Sequence, residues 1–558
     1  MNERSKTGFE ILQIGVLFGV VVDTMLRVGP WGLNATVVVL FIVGAVVLLF
    51  KRHRPEYLNS HSAALLSAIA IVGVFYSWRD AEELKVLSTV AILIVLAVLL
   101  LPALRVKVDT AGLFHYVLAW FWAGFNVLFS PFVLIFDDIE WSNVSGSGWR
   151  RHLFGVLRGI AIAAPLVLIF GALFVAADAT YEGLVQRTLN IDPAVLFEHA
   201  FVISLFSWFS AGYMRASITE SFAEDVKSTF NEPTPASVVP SNESSESTGG
   251  DDVPDPAQEP ARPKKTWNWR EPNSDVLSPS LTLGPVEIGV SLGLVNLLFL
   301  SFVIVQLPYL FGGFDLVQRT EDLKLSEYAR RGFGELVVVA ILVLPTLMLS
   351  HWLLKEAKSA FNLYRIMSGI LIVLLFVIMA SAMQRMLILT GSSGYGLSTG
   401  RFYPMVFIGW LAIVFVWLAV SIMRNARRQF AWGVLWSALF VLGLLHIVNP
   451  DDFIARTNVR LMNQGRPFDR GYNVGLSADA VPVILETFPG LATQDKSTDF
   501  VQNEVRNGLI RHYCELTGTT DFRTWNLSRT RALNAMKNDG EWSAIEVDCT
   551  GYRFRNGD

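Results

Sequence analysis

The sequence predicts an all-α fold: a polytopic α-helical membrane protein of about 11 transmembrane helices plus one interfacial segment, followed by a small, mainly helical soluble C-terminal domain. Three observations predict it. Hydrophobic residues make up 52% of the chain and charged residues only 17%, where a soluble domain carries roughly 25% charge. Mean hydropathy is +0.43. Runs such as Val86–Leu101, Leu363–Met383 and Val406–Met423 are almost wholly apolar and lack the alternation of a barrel strand. Crossing a hydrocarbon core of ~30 Å takes about 20 apolar helical residues, and inside lipid only a helix or a closed barrel satisfies every backbone polar group.

Taken in order, the expected spans are Phe9–Leu26, Leu33–Phe50, Ala63–Trp78, Val86–Leu104, Phe154–Ala177, Ala194–Tyr213, Val286–Leu310, Gly334–Leu354, Leu363–Met383, Tyr403–Met423 and Phe430–Val448. The first reads as an uncleaved span rather than a signal peptide. Arg4 and Lys6 precede it, but the run carries Asp23 and no small-residue cleavage site follows. Leu113–Phe136 is apolar too, yet Trp120, Trp122, Asn126, Ser130 and Pro131 suit the headgroup boundary.

Basic residues of short loops sort to the cytoplasm. The clusters Lys51, Arg52 and Arg54; Arg105 and Lys107; Arg150, Arg151 and Arg158; Lys355, Lys358 and Arg365; and Arg424, Arg427 and Arg428 share one side only if Leu113–Phe136 does not cross. That segment is therefore expected to be interfacial or re-entrant. The N-terminus is then cytoplasmic, the C-terminal tail extracytoplasmic, and the protein a multi-pass resident of the cell (inner) membrane.

This divides the chain into a first membrane module of six spans and the interfacial segment at 1–219, a linker at 220–283, a second module of five spans at 284–448 and a soluble tail at 449–558. The linker is rich in Ser, Pro, Glu and Asp. It buries too little apolar surface to offset chain entropy, so it is expected to be disordered. No clear internal repeat relates the two modules, which weakens an inverted-repeat transporter. Gly312-Gly313 is expected to form a turn. In the tail, Ser477 can cap a helix over Ala478–Thr487, and Val501, Val505, Leu509 and Tyr513 have helical spacing within Phe500–Leu516; Glu541–Phe554 looks like strands and turns. Cys514 and Cys549, the only cysteines, both lie in the tail; an oxidising compartment would permit a disulfide, the alternative being two buried thiols.

Net charge is −4, so no nucleic-acid partner is implied. The eight histidines fall in no HxxxH or HExxH spacing, so no metal is expected, and no Walker or dinucleotide signature points to a cofactor. Asn526-Leu527-Ser528 fits a glycosylation triplet, a pattern that often arises by chance. Asp23 and Asn296 read as interhelical hydrogen-bonding groups.

Costly polar residues gather at the outer ends of spans: Asp178, Tyr181 and Glu182; Glu198 and His199; Gln306; the stretch from Ser326 to Glu335; Gln384 and Arg385; Tyr395 to Arg401; and Asn449, Asp451 and Asp452. Glu327, Arg331 and Glu335 are spaced i, i+4, i+8 and share one face of a helix. A charge near the bilayer centre costs ~2.5–3.5 kcal/mol, so such groups meet protein, water or one another. Two accounts stand. One is a structural network that fixes helix packing. The other is a binding site for an anionic lipid or small solute, with Glu327, Tyr328, Arg330, Arg331, Glu335, Arg385, Tyr395, Arg401, Asn449 and Asp451 as its candidate residues. Guanidinium groups grip phosphate or carboxylate through two hydrogen bonds, and Glu335 or Glu198 would accept a proton.

At these loops the chain resembles a bacterial multi-pass membrane family, domain of unknown function 4173, close to 4153. The resemblance is carried by Glu327-Tyr328-Ala329-Arg330-Arg331-Gly332-Phe333, by Tyr395-Gly396-Leu397-Ser398 with Arg401, by Asn449-Pro450-Asp451 with Ile454 and Asn458, and by Leu476-Ser477-Ala478-Asp479-Ala480-Val481-Pro482. It covers roughly Arg150–Pro482 and implies a cell-membrane protein without assigning an activity. The functional expectation is a non-enzymatic module that binds or passes a small anionic solute or lipid at its outer face. The alternatives are an enzyme acting there on lipid or envelope precursors, using Glu335, Glu327 or Asp178, and a scaffold or sensor that recruits a partner through the tail. Catalysis would require two carboxylates, or a carboxylate and His199, to converge beside lipid.

Overall fold

The computed structural model describes residues 3–104, 106–139, 193–218, 284–318, 333–354, 358–391, 396–424, 429–488, 500–518 and 521–540, with 542, 547 and 549. The expected span Phe154–Ala177, the linker 220–283 and most of Glu541–Phe554 lie outside them. The described chain is helical, and among these residues no strand occurs. Its membrane part comprises α1 Glu3–Leu26, α2 Leu33–His53, α3 Ser60–Trp78, α4 Glu82–Val98, α5 Leu113–Val133, α6 Pro193–Ile218, α7 Pro285–Gln318, α8 Phe333–Trp352, α9 Lys358–Thr390, α10 Thr399–Met423 and α11 Phe430–Val448. Among the described residues ten helices are long and apolar enough to cross a bilayer, α5 with its exit turn among them. One correction concerns α7: it runs unbroken through Gly312-Gly313, which forms no turn. In so apolar a segment, backbone groups gain more from helical hydrogen bonds than glycine loses in entropy.

Contacts fix the direction of each helix. The start of α1 and the end of α2 meet at the proximal end of the bundle, where Arg52 and His53 both bond to Glu10. The end of α1 and the start of α6 meet at the distal end, where Arg27 pairs with Glu198 at 2.8 Å. Short links send α3 back to the distal end and α4 forward again, with Asn59 capping α3 through the Ser62 N–H.

Helix α5 departs from this alternation. Its entry is tied to the proximal end, where Tyr116 Oη donates to Val108 O and Asp109 lies 3.8 Å from His61 at the start of α3. Its exit, extended by a π turn over Leu134–Asp138, is tied to the same end: Arg4 pairs with Asp137 at 2.6 Å and Asp138 at 2.7 Å, and Ser5 Oγ donates to Asp138 O. A helix of 26 residues is ~39 Å long. Both ends of α5 are thus tied to the proximal end, although the segment is also long and apolar enough to cross a bilayer. It meets α6 where the Gly212 backbone abuts Asn126 and Val127. Arg215 of α6, only 4% exposed, donates to Asp138 Oδ2 at 2.6 Å. Phe114, Val117, Phe121, Phe125, Phe129, Phe132 and Phe136 line the outward face of α5 and its exit turn, all of them exposed. That uncharged stripe suits the acyl–headgroup boundary.

Among the described residues three large apolar cores hold the bundle: the first joins α2, α3, α4, α5 and α6, the second joins α7, α8, α9 and α10, and the third joins α1, α2 and α6. Helix α11 belongs to both modules: Leu435 and Leu442 enter the first core and Phe430 the second. It therefore splices the two modules, although it follows the second in sequence. Asn296 Nδ2 donates to Met367 O, an interhelical bond between α7 and α9.

The tail begins without a linker. Asn449, at φ 59°, turns α11 directly into α12 Pro450–Asn463. Then come α13 Arg470–Val474, α14 Val481–Thr487, α15 Phe500–Gly518 and α16 Leu527–Asn538. Their core is built on Ile454, Val474, Ile484, Val505, Leu509, Ala532 and Met536. A disulfide joins Cys514 to Cys549. Helix α14 starts at Val481, not Ala478, and Ser477 does not cap it; the Ser477 hydroxyl instead accepts from the Asp479 N–H at 3.4 Å.

The placement of α5 has a direct check. Single cysteines in place of Gly112 and Asp137, at the two ends of the segment, should react with an impermeant maleimide from the same side of the membrane. Labelling from opposite sides would mean that the helix crosses.

Candidate functional site

The distal end holds three polar systems, and the largest joins the bundle to the tail. Helices α3 and α4 are separated by Arg79-Asp80-Ala81, a turn too short to carry its charges out into water. Arg79 is buried. It donates through Nε to His446 O at 2.8 Å and through a terminal nitrogen to Asp479 Oδ1 at 3.1 Å, and it lies over the Trp78 ring. Asp479 Oδ2 accepts from the Asp80 N–H at 2.8 Å, and the Ser528 hydroxyl reaches Asp479 Oδ1. Asp80 in turn pairs with Lys85 at 2.7 Å and Arg529 at 2.5 Å. Burial opposes ionisation of Asp80, but Lys85 and Arg529 together hold its carboxyl below the ordinary range. Asn526 completes the clamp: its amide donates to Tyr76 O and Arg79 O, and its oxygen caps α16 at the Ser528 and Arg529 N–H groups. So engaged and buried, Asn526 offers no amide for glycosylation. His446 Nδ1 faces the Leu442 carbonyl at 2.8 Å, an acceptor, so that nitrogen carries the proton and Nε2 faces Ser88.

The second system adjoins the first. Asp451, 2% exposed, accepts the Ser477 N–H on Oδ2 at 3.0 Å, while its Oδ1 has no hydrogen-bond partner. The same holds for Tyr403 Oη and Asn449 Oδ1. Burial pushes the Asp451 carboxyl up to about 6; Glu83 and Asp479 add to the rise, and the hydrogen bonds from Ser477 oppose it. The third system lies between α1 and α6. Asp23 Oδ2 accepts from His199 Nδ1 at 2.6 Å, and Arg27 bridges Asp23 and Glu198.

The candidate residues from sequence fare unevenly. Glu327, Tyr328, Arg330, Arg331 and Tyr395 lie outside the described residues, as does the side chain of Glu335, which sits in the first turn of α8. Arg385 is half-buried near the distal end of α9. Asn449 and Asp451 lie at the turn from α11 into α12, and Arg401 lies in the first turn of α10. Arg401 donates to Gly396 O. Asn458 holds Leu397 through its N–H at 2.7 Å and its carbonyl at 2.8 Å, and also bonds Asn473. Gly396, at φ +80°, has no room for a side chain: a Cβ would fall 2.8 Å from Asn458 Oδ1. Thr399 N donates to Tyr472 Oη at 2.6 Å.

A family model, described as a domain of unknown function (DUF4153), matches residues 63–487. The chain belongs to the DUF4153 family. This is the neighbour named beside 4173 in the resemblance, and the match reaches further toward the N-terminus than Arg150. No curated protein and no solved structure matches the chain. In the DUF4153 region lie Arg79, Asp80, Asp451 and Asp479; Asn526, Ser528 and Arg529 lie beyond it and complete the clamp from outside the matched core. Arg79 and Asp80 were not among the candidate residues, although two adjacent charges between apolar spans were the available signal. Among the described residues no group of three His, Cys, Asp or Glu is placed to hold a metal.

Two outcomes follow. Asp479→Ala leaves the buried Arg79 without its counter-charge and should cost about 3–5 kcal/mol, read as a fall in thermal stability with earlier proteolysis of the tail. Asp451 binds its proton more tightly folded than unfolded, so its contribution is full below pH ~4 and fades as pH rises through about 6. The difference in stability between wild type and Asp451→Asn should therefore change by roughly 3 kcal/mol between pH 4 and pH 7, measured by thermal unfolding across that range. A pH-independent difference would mean that Asp451 titrates normally.

Proposed function

We propose that this DUF4153 protein is a non-enzymatic membrane scaffold or sensor that mounts its C-terminal domain rigidly on the outer end of the bundle. The observation that carries the proposal is the clamp in which Asp479 binds Arg79, the Asp80 N–H and Ser528. A tail that was merely tethered would have no need of buried charges from both partners. Breaking such an arrangement costs several kcal/mol, while its net contribution to stability is small, so it serves orientation more than strength.

The proposed orientation places the proximal end in the cytoplasm and the tail outside, in a bacterial inner membrane. Two observations support it. Lys51, Arg52, Arg54 and Lys107 cluster at the proximal end, and the distal Arg27, Arg79 and Arg529 have acidic partners that offset their position. The Cys514–Cys549 disulfide suits an oxidising compartment. Binding or passage of an anion draws less support from the junction. There Arg401 donates to a backbone carbonyl, and the unpartnered buried atoms are oxygens.

Rigid mounting can be measured. With spin labels on cysteines replacing the exposed Glu82 and Arg511, the distance distribution should be narrow in nanodiscs and broaden when Asp479→Ala is added. A broad distribution without that substitution would reject rigid mounting.

One observation favours a second reading, an enzyme acting on envelope lipids at the outer face. The Asp23–His199 pair holds His199 Nδ1 as a donor, which leaves Nε2 as the basic nitrogen of a side chain 44% exposed. On this reading, cells carrying His199→Gln should accumulate a lipid or envelope precursor that wild-type cells process. Matching lipid profiles would remove it.

A further inference from the structure

We propose that the short helical turn Phe522–Thr524, with Trp525 after it, seats the tail in the lipid headgroup boundary at the distal end, Phe522 and Trp525 being the anchoring side chains. Such an anchor adds to rigid mounting and holds whether or not the tail recruits a partner.

Two hydrogen bonds set the level of the turn. Arg523 donates to Thr24 O in the last turn of α1. Trp525 O accepts, at 2.9 Å, the Leu33 N–H that opens α2. Between them Gly32 lets the backbones touch, since a Cβ there would fall 2.5 Å from Trp525 O and 2.8 Å from Thr524 O. Helix α1 has 24 residues. That makes it about 36 Å long, against a hydrocarbon thickness of about 30 Å. An α1 that crosses therefore places Thr24 within about one helical turn of the hydrocarbon edge, and the tail turn bonded to it stands at the headgroup level.

The turn also faces outward. Phe522 is 72% exposed and Trp525 46%, and Trp31, in the link between α1 and α2, is 43% exposed. Among the described residues of the tail, Phe453 is the one other large hydrophobic side chain so exposed. On α1, Val16, Leu17, Val20 and Thr24 are exposed and share one face. Arg523 thus meets α1 at the distal end of its lipid-facing stripe, and the turn continues a surface that lipid already covers.

No net charge opposes this position. Asp521 holds the Arg523 guanidinium through Nε at 2.9 Å and through a terminal nitrogen at 2.5 Å, so the pair is neutral as a unit. Tryptophan favours the boundary between acyl chains and water, where its ring meets lipid and its N–H meets polar groups. A neutral aromatic turn at that level selects lipid over a strongly charged protein partner.

The test uses the full-length protein in phosphatidylcholine–phosphatidylglycerol vesicles. Cys514 and Cys549 are joined to each other, so a cysteine replacing Phe522, or separately Trp525, can carry an NBD fluorophore as the sole labelled thiol. Lipids with a nitroxide near the glycerol backbone should quench both probes strongly, and aqueous iodide should quench them weakly. Strong quenching by iodide with none by nitroxide lipids would put the turn in water and overturn the proposal. Protection from both quenchers would overturn it too, because protein, a second copy of the chain included, would then cover the turn. Both replaced side chains are exposed, and agreement between the two probes guards against a local change at either one. Narrow spin-label distances together with an iodide-quenched turn would keep rigid mounting and remove the lipid anchor.

Discussion

Among the described residues the buried charges other than Asp451 each meet a second charge, and that constraint organises both ends of the bundle. Lipid offers no hydrogen bonds and little dielectric screening, so an ionised side chain at a helix end must find its partner within the protein. At the proximal end Arg215 and Arg4 converge on Asp138, which pins the exit of α5 to α1 and α6. At the distal end Arg79 meets Asp479, which pins the tail to the turn between α3 and α4. Each pair joins elements that hydrophobic contact alone would leave free to rotate. Apolar packing makes the helices associate, and the ion pairs select one arrangement.

The helices were legible in the sequence because their signal is local: some twenty apolar residues state their own conformation. The clamp was not. Arg79 and Asp479 are 400 residues apart, and nothing in either neighbourhood names the other. Part of the junction was visible as motif residues, among them Gly396, Asn449, Asp451, Asn458 and Asp479, but their mutual contacts were not. Cap positions and turns were the weakest expectations. Ser477 fails as a cap because its N–H and hydroxyl serve Asp451 and Asp479, and Gly312-Gly313 stays helical because its surroundings are apolar.

Among the described residues, packing does not stop at the expected boundary between the two modules. Helix α11 puts Leu435 and Leu442 among the N-terminal spans and Phe430 among the C-terminal ones. Its distal end supplies His446 O to Arg79 and, through Asn449, starts the tail. A displacement of α11 would therefore be felt in both modules and in the clamp at once. The DUF4153 match spans α3 to α14, so it contains this splice in full.

The segment Thr524–Arg529 is synthesised long after the helix ends it meets: Asn526 follows its partner Tyr76 by 450 residues. Trp525 O accepts the Leu33 N–H at the start of α2, and Gly32 leaves no room for a methyl group beneath it, since a Cβ would lie 2.5 Å from Trp525 O. Asn526 takes up the carbonyls of Tyr76 and Arg79 at the end of α3. Until this segment has left the ribosome, these early helix ends depend on water or on an insertion factor for their hydrogen bonds. Chains truncated before this point should thus be recognised as unfinished by membrane quality control, even though every span is already in place.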